Sequence, residues 1–191
     1  MTRIIAGRAR GRRLLVPAAG TRPTSDRTRE ALFSSLMSTN ALPGAHVLDL
    51  YAGSGALGLE AVSRGAVVAV LVERDKAAAA VCRKNADLVD ADAVTVLCSD
   101  VGRLVFVAPA VVAAPFDLVF IDPPYETADE VVVDVLRALA VNAWLTELAD
   151  VIVERKTGGT EFVWPPGFAA DRRRVYGSTV LWYGHWIGPV A

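Results

Sequence analysis

From His46 to Glu154 the chain alternates short apolar runs with helix-length stretches, and this alternation restricts the fold more than any other feature. The runs at 46–50, 67–72, 93–98, 116–121 and 150–154 are rich in Val, Leu and Ile, with little of the polar alternation of a strand wetted on one face. They predict strands buried on both sides. Between them, 56–64, 75–89 and 129–141 have helical patterning, while 101–115 is weakly patterned. Gly65 stops the first of these helices, and Asp75 can cap the second. Strand–helix repetition of this kind predicts a parallel sheet covered by helices on both faces. The tail differs: Arg172 to Tyr176 and Thr179 to Trp186 flank Gly177-Ser178, a hairpin signal. The predicted architecture is an α/β, mostly parallel seven-stranded sheet with an antiparallel closing hairpin.

Composition supports a packed core. Of 191 residues 53% are hydrophobic and 21% charged, so the low hydrophobicity and high net charge of disordered chains are absent. The runs Val67–Val72 and Phe116–Ile121 are far shorter than the roughly 20 residues of a membrane span. The start, Met1 to Arg13, has no long apolar segment leading to a small-residue cleavage site. A cytoplasmic protein is expected, without membrane or metal, and a monomer. Two cysteines (Cys82, Cys98) and two histidines (His46, His185) are too few for a zinc cluster or a His-rich metal site, and they make a Ser-His-Asp triad improbable.

Charge is unevenly placed. Residues 1–30 hold eight arginines against Asp26 and Glu30, six net positive charges, leaving seven net negative charges for the remainder of a chain whose total is −1. A basic arm on an acidic body steers a polyanion to one face, since guanidinium forks pair bidentately with phosphate. The competing reading is a solvated surface run. Gly7 and Gly11, with Ile4, Ile5, Leu14, Leu15 and Val16, instead suggest an ordered hairpin displaying Arg8, Arg10, Arg12 and Arg13. We therefore divide the chain into a basic extension, 1–21, and a main domain, 22–191. Arg22-Pro23-Thr24 is an extended entry to a helix from about Ser25 to Ser38, with Leu32, Phe33, Leu36 and Met37 on its apolar side and Arg27 and Arg29 riding on it.

Residues 47–58, Val-Leu-Asp-Leu-Tyr-Ala-Gly-Ser-Gly-Ala-Leu-Gly, form a strand, a tight turn and a helix start. They contain G-x-G-x-x-G, and Glu73 follows Gly53 at dinucleotide-fingerprint spacing. Three such glycines arise by chance in roughly 6% of chains of this length, so context must decide. Asp49 would repel a pyrophosphate at the loop. S-adenosylmethionine is the better guest, because it carries an ammonium and a sulfonium, no phosphate, and a ribose diol that Glu73 can bind.

At the end of the fourth run of the alternating region stands Asp122-Pro123-Pro124-Tyr125, the sharpest signal in the chain. An exocyclic amine is a poor nucleophile because its lone pair is delocalised into the base ring. Acceptors against its N–H groups favour pyramidalisation and relocalise that pair. Asp122 offers a carboxylate and Pro123 a carbonyl with no N–H of its own; Tyr125 offers a face for base stacking. The competing reading is a strand-ending Pro-Pro turn with a packed tyrosine.

Through D-L-Y-A-G-S-G at 49–55, Glu73, Ser99-Asp100 and D-P-P-Y, the chain resembles class I S-adenosylmethionine-dependent methyltransferases. The resemblance implies a Rossmann-like fold and a cofactor site of Asp49, Tyr51, Ala52, Gly53, Ser54, Gly55, Glu73, Arg74, Asp100 and Val101. Asp49 would orient the methionine end, Glu73 bind the ribose and Asp100 the adenine amine, although Asp100 also suits a helix cap. Ile5-Ala-Gly-Arg-Ala-Arg-Gly-Arg-Arg-Leu14, Arg22-Pro-Thr-Ser-Asp-Arg-Thr-Arg-Glu-Ala-Leu-Phe33 and Tyr176-Gly-Ser-Thr179 narrow it to the bacterial 16S ribosomal RNA guanine-N2 methyltransferases. That implies 16S ribosomal RNA in a small subunit as partner, with Arg8, Arg10, Arg12, Arg13, Arg22, Thr24, Arg27 and Arg29 on the RNA. Alternatives are another amine methyltransferase, acting on DNA adenine or a protein amide, a binding protein on the same fold, and, weakest, a dehydrogenase.

Overall fold

The computed structural model describes residues 2–17, 25–89, 91–109 and 115–189. The amino-terminal extension forms two short antiparallel strands, β1 (Thr2–Arg3) and β2 (Arg13–Leu14). After α1 (Asp26–Ser38) come β3 (His46–Leu50), α2 (Ala56–Ser63), β4 (Val68–Glu73), α3 (Lys76–Leu88), β5 (Val94–Cys98), α4 (Val101–Val105), β6 (Phe116–Ile121) and α5 (Asp129–Val141). The chain closes with β7 (Leu145–Lys156), β8 (Phe168–Tyr176) and β9 (Thr179–Trp186).

The main sheet has the order β5-β4-β3-β6-β7-β9-β8. Strands β3 to β7 are parallel; β9 runs antiparallel to β7, and β8, the outermost strand, antiparallel to β9. This is the seven-stranded Rossmann-like arrangement expected, and the order reverses between β3 and β6. At such a switch point the loops leaving the two carboxyl ends diverge and open a crevice. On one face the core gathers α1, α2, α3, the extension's Ile4 and Leu14, and Leu118 and Phe120 of β6. The other face holds α4 and α5 with Phe116, Trp144, Phe162, Phe168 and Trp182. Trp144 is fully buried, stacks on Phe116 and donates Nε1–H to the Val107 carbonyl at 2.9 Å.

The patterning missed some features for local reasons. Helix α4 occupies the start of the weakly patterned stretch and is a single turn and a half, too short to show a period. Strand β7 begins at Leu145, not 150, because its pairing with β6 shifts register between Phe116 and Leu118 and Leu148 takes a φ of 61°. That irregularity breaks the alternation by which a strand is recognised. A register shift between Ala170 and Arg172 similarly hides the first residues of β8. Helix α1 is capped by Ser25, whose Oγ accepts from Thr28 N at 3.1 Å, and Asp75 caps α3 by accepting from Ala78 N at 2.8 Å. Among the described residues no helix is long and apolar enough to cross a membrane.

Candidate active site

Two turns leave the carboxyl ends of β3 and β6 and flank the switch point. The first starts from Asp49, buried on the face of β3 that packs under α2. Its Oδ2 accepts the Gly58 N–H at 2.9 Å. Burial pushes its carboxyl up to about 7, against the lowering effect of the Gly58 hydrogen bond and with a smaller upward push from the charge of Glu73. Among the described residues no ion pair is made by this carboxylate, and a buried acid so placed could pair with a cationic group.

The turn itself is stiff. Tyr51, Gly53 and Gly55 have φ of 64°, 57° and 78°, and Gly55 leads into α2 in the left-handed region. A side chain at Gly55 would put its Cβ 2.5 Å from Leu71 Cδ2. Ala52 N–H donates to the Val72 carbonyl at 3.0 Å and Gly55 N–H to the Ala52 carbonyl at 2.7 Å. The Gly53 N–H donates to Glu73 Oε2 at 3.0 Å, while Glu73 Oε1 takes the Asp75 N–H at 2.8 Å. Each Glu73 oxygen thus keeps further acceptor capacity for a diol. Asp100 caps α4 by accepting from Arg103 N at 3.1 Å. Around Tyr51, burial raises the phenol's pKa first and the Asp100 charge adds to it, while Arg74 and Arg155 oppose.

Two residues on α3 that sequence reading passed over hold this turn. Cys82 donates Sγ–H to the Gly53 carbonyl at 3.0 Å, and burial with the charges of Asp49 and Glu73 pushes its thiol up to about 12, keeping it a donor. Asn85 is fully buried and donates Nδ2 to the Ser54 carbonyl at 2.8 Å and the Leu15 carbonyl at 2.9 Å, while its Oδ1 accepts the Leu15 N–H at 2.8 Å. A polar amide on the buried stripe of Ala78, Ala79, Cys82 and Ala86 was the available signal.

The second turn, Asp122-Pro123-Pro124-Tyr125, begins beside the first: Asp122 N–H points to the Leu50 carbonyl at 3.5 Å. Pro123 is buried, Pro124 exposed, and Asp122 and Tyr125 are half-buried. Thr127 N–H donates to the Pro124 carbonyl at 2.9 Å, which tightens the turn. Tyr125 Oη lies 3.3 Å from Thr179 Oγ1 on β9, and Arg155 on β7 ties down the downstream loop through Asp129 Oδ1 at 2.7 Å and the Thr127 carbonyl at 2.5 Å. Among the described residues no group of three His, Cys, Asp or Glu is placed to hold a metal ion.

The basic extension docks on α2 by its backbone. Glu60, fully buried, accepts the N–H groups of Ile5 at 2.7 Å and Ala6 at 3.0 Å and pairs with Arg64 Nε at 2.7 Å. Ser63 Oγ takes the Ala9 N–H at 3.0 Å and donates to the Ala6 carbonyl at 2.6 Å. Gly7 is obligatory there, since a Cβ would fall 1.8 Å from the Ser63 carbonyl oxygen. Arg8, Arg10, Arg12, Arg13 and Arg27 are exposed. Arg29 is a correction: it is 1% exposed, donates to Asp26 Oδ1 at 2.6 Å and the Arg3 carbonyl at 2.8 Å, and cannot meet a phosphate. Helical period puts it on one stripe with Leu32, Phe33 and Leu36, and that stripe faces the core. Arg22 and Thr24, and the boundary between 21 and 22, lie outside the described residues.

A Rossmann-like sheet whose switch point is flanked by an acid-and-glycine turn and a D-P-P-Y turn is the architecture of a methyltransferase. A solved structure of a putative methyltransferase from Escherichia coli superposes with a TM-score of 0.82 at 35% identity, covering 98% of both chains. Ribosomal RNA small subunit methyltransferase D of Escherichia coli is 38% identical over 176 residues, 92% of this chain and 85% of that protein. Its namesake in Haemophilus influenzae is 36% identical over 153 residues, 80% and 77% of the two chains. The family model described as conserved hypothetical protein 95 matches residues 2–185. The chain belongs to this family, that of the bacterial small-subunit ribosomal RNA methyltransferases D.

Proposed function

We propose that the chain methylates the exocyclic N2 amine of a guanine in 16S ribosomal RNA, in an assembling or assembled small subunit in the cytoplasm, with S-adenosylmethionine as methyl donor. The observation that carries this reading is the adjacency of the two turns across the switch point, joined at Asp122 N and the Leu50 carbonyl. Names of the relatives support ribosomal RNA as substrate.

The cofactor supplies an electrophilic methyl on a cationic sulfur. Asp49 holds the cationic methionine end, and the turn of Tyr51 to Gly55 lets backbone approach closely. Glu73 and Asp100 hold the ribose and the adenine amine, with Arg74 and Val101 beside them. Asp122 and the Pro123 carbonyl accept from the amine N–H groups and relocalise its lone pair; Pro124 fixes the turn and Tyr125 stacks on the base. Arg8, Arg10, Arg12, Arg13 and Arg27 bind phosphates and set register without reading sequence.

The test is tritium transfer from labelled S-adenosylmethionine to small subunits lacking the modification, followed by nucleoside analysis. The expected product is N2-methylguanosine. Label in adenine of added DNA, or in ribosomal protein, overturns the reading in favour of another amine methyltransferase.

A further inference from the structure

The D-P-P-Y turn is held from behind by two consecutive residues of β7, and strand alternation sends their side chains to opposite faces of the sheet. Arg155 reaches the loop downstream through Asp129 and the Thr127 carbonyl. Glu154 is buried on the other side and accepts from Thr179 Oγ1 at 3.3 Å. Thr179 is itself buried, at the first position of β9, and its Oγ1 lies 3.3 Å from Tyr125 Oη. The hairpin that presents Thr179 is tied back to the end of β7, where Thr157 N–H donates to the Ser178 carbonyl at 2.9 Å, and it turns through Gly177 at a φ of 59°.

A threonine hydroxyl has one proton to give. Thr179 Oγ1 gives that proton to Glu154 Oε1, so toward Tyr125 it can only accept, and the phenol O–H is the donor. We propose that Thr179, backed by Glu154, is a positioning residue for the methyl transfer: it fixes the ring plane of Tyr125 and thereby the platform on which the target base is stacked. The closing hairpin is thus part of the site, although no residue of it touches the reacting atoms. A planar, π-faced substrate gains from a ring held at one angle, because the amine must lie in line with the methyl being transferred. The inference rests on the stacking role assigned to Tyr125 above.

Single-turnover methylation of unmodified small subunits, with S-adenosylhomocysteine binding measured alongside, tests it in four variants. Thr179→Val keeps the volume and deletes the acceptor; Tyr125→Phe keeps the ring and deletes the donor. Each should slow transfer about five- to tenfold, the worth of one hydrogen bond, with S-adenosylhomocysteine affinity unchanged within about twofold. The double variant should be no slower than the slower single one, since both remove the same bond. Thr179→Ser should restore the wild-type rate. Should Thr179→Val lose S-adenosylhomocysteine binding, Tyr125→Phe decides alone. Transfer within about twofold of wild type in the deciding variants, or single effects that multiply in the double variant, overturns the proposal. Asp122→Ala, run beside them, separates the two readings: a large loss there with a normal Thr179→Val rate fails the relay only, while a normal Asp122→Ala rate fails the amine chemistry itself.

Discussion

The two turns at the switch point leave neighbouring strands at the same end of the sheet, yet they are built differently. The turn after β3 has its backbone tied to Glu73, Cys82, Asn85 and Val72, and its acid, Asp49, is 2% exposed. The turn after β6 is half-exposed, and it is shaped by two prolines and held at its far side by Thr179 and Arg155. A stiff, pre-satisfied turn suits a small molecule of fixed shape. A turn whose fixed φ values come from proline needs fewer hydrogen bonds to hold its form and can present its acceptors outward.

The largest effect expected from breaking this division is at Asp122. Asp122→Ala should cost about 10² to 10³ in single-turnover methylation, as losing one preorganised electrostatic contact does, with S-adenosylmethionine affinity by calorimetry nearly unchanged. Asp49→Asn should do the converse, weakening the cofactor about ten- to a hundredfold through loss of a charged partner.

Asp49 also sharpens the comparison through pH. Its carboxyl stands at about 7 in the folded protein against 3.8 ordinarily, so folding retains a proton that the unfolded chain gives up. The stability this contributes is full below about pH 4 and is lost as pH rises through about 7. Thermal unfolding should therefore show Asp49→Asn matching wild type near pH 4 and exceeding it near pH 8. Cofactor affinity of the wild type should rise across the same window, because the ionised carboxylate is the form that meets a cation, and the variant should be flat.

A smaller loss is expected from Asn85→Ala, which strips side-chain partners from the Ser54 carbonyl and from both backbone groups of Leu15. Denaturant titration should show about 1 to 3 kcal/mol of destabilisation. Smallest is the change from removing two of Arg8, Arg10, Arg12 and Arg13. Cofactor binding should stay intact while the salt slope of subunit binding falls by roughly 0.7 to 0.9 for each lost phosphate contact. An unchanged slope would assign these arginines to ordinary solvated surface.

The alternation of apolar runs made the number and chain positions of the parallel strands legible, because burial on both faces leaves a compositional mark on β3, β4 and β6, whereas β5, expected to be buried on both sides, is a part-buried edge strand. The placement of Asp49 and Asp122 in the fold was legible as well, since they stand near strand ends beside a glycine turn and a proline turn, and that of Glu73 by its spacing from Gly53. Partnerships across the fold were not. Nothing local in Asn85 says that it meets Leu15 and Ser54, and nothing in Glu60 says that two backbone amides of the extension end on it. Arg29 shows the opposite failing: its charge suggested a surface, while its helical phase with Leu32, Phe33 and Leu36 placed it inside.

The outermost position of β8 bears on how the protein behaves when concentrated. An unpaired strand edge is a template on which a strand of another copy can add, the first step toward fibres. Here Arg172, Arg173 and Arg174 follow one another along that edge, and the register breaks between Ala170 and Arg172. The rings of Tyr183 and Trp182 hold the guanidinium groups of Arg172 and Arg173 at 4.4 and 5.6 Å from their centroids, so these two charges are fixed in place. An approaching copy meets like charge and an interrupted ladder. Static light scattering should find the protein dispersed at low ionic strength, with any edge-to-edge accretion appearing only as salt shortens the Debye length to a few ångströms, about 3 Å at 1 M.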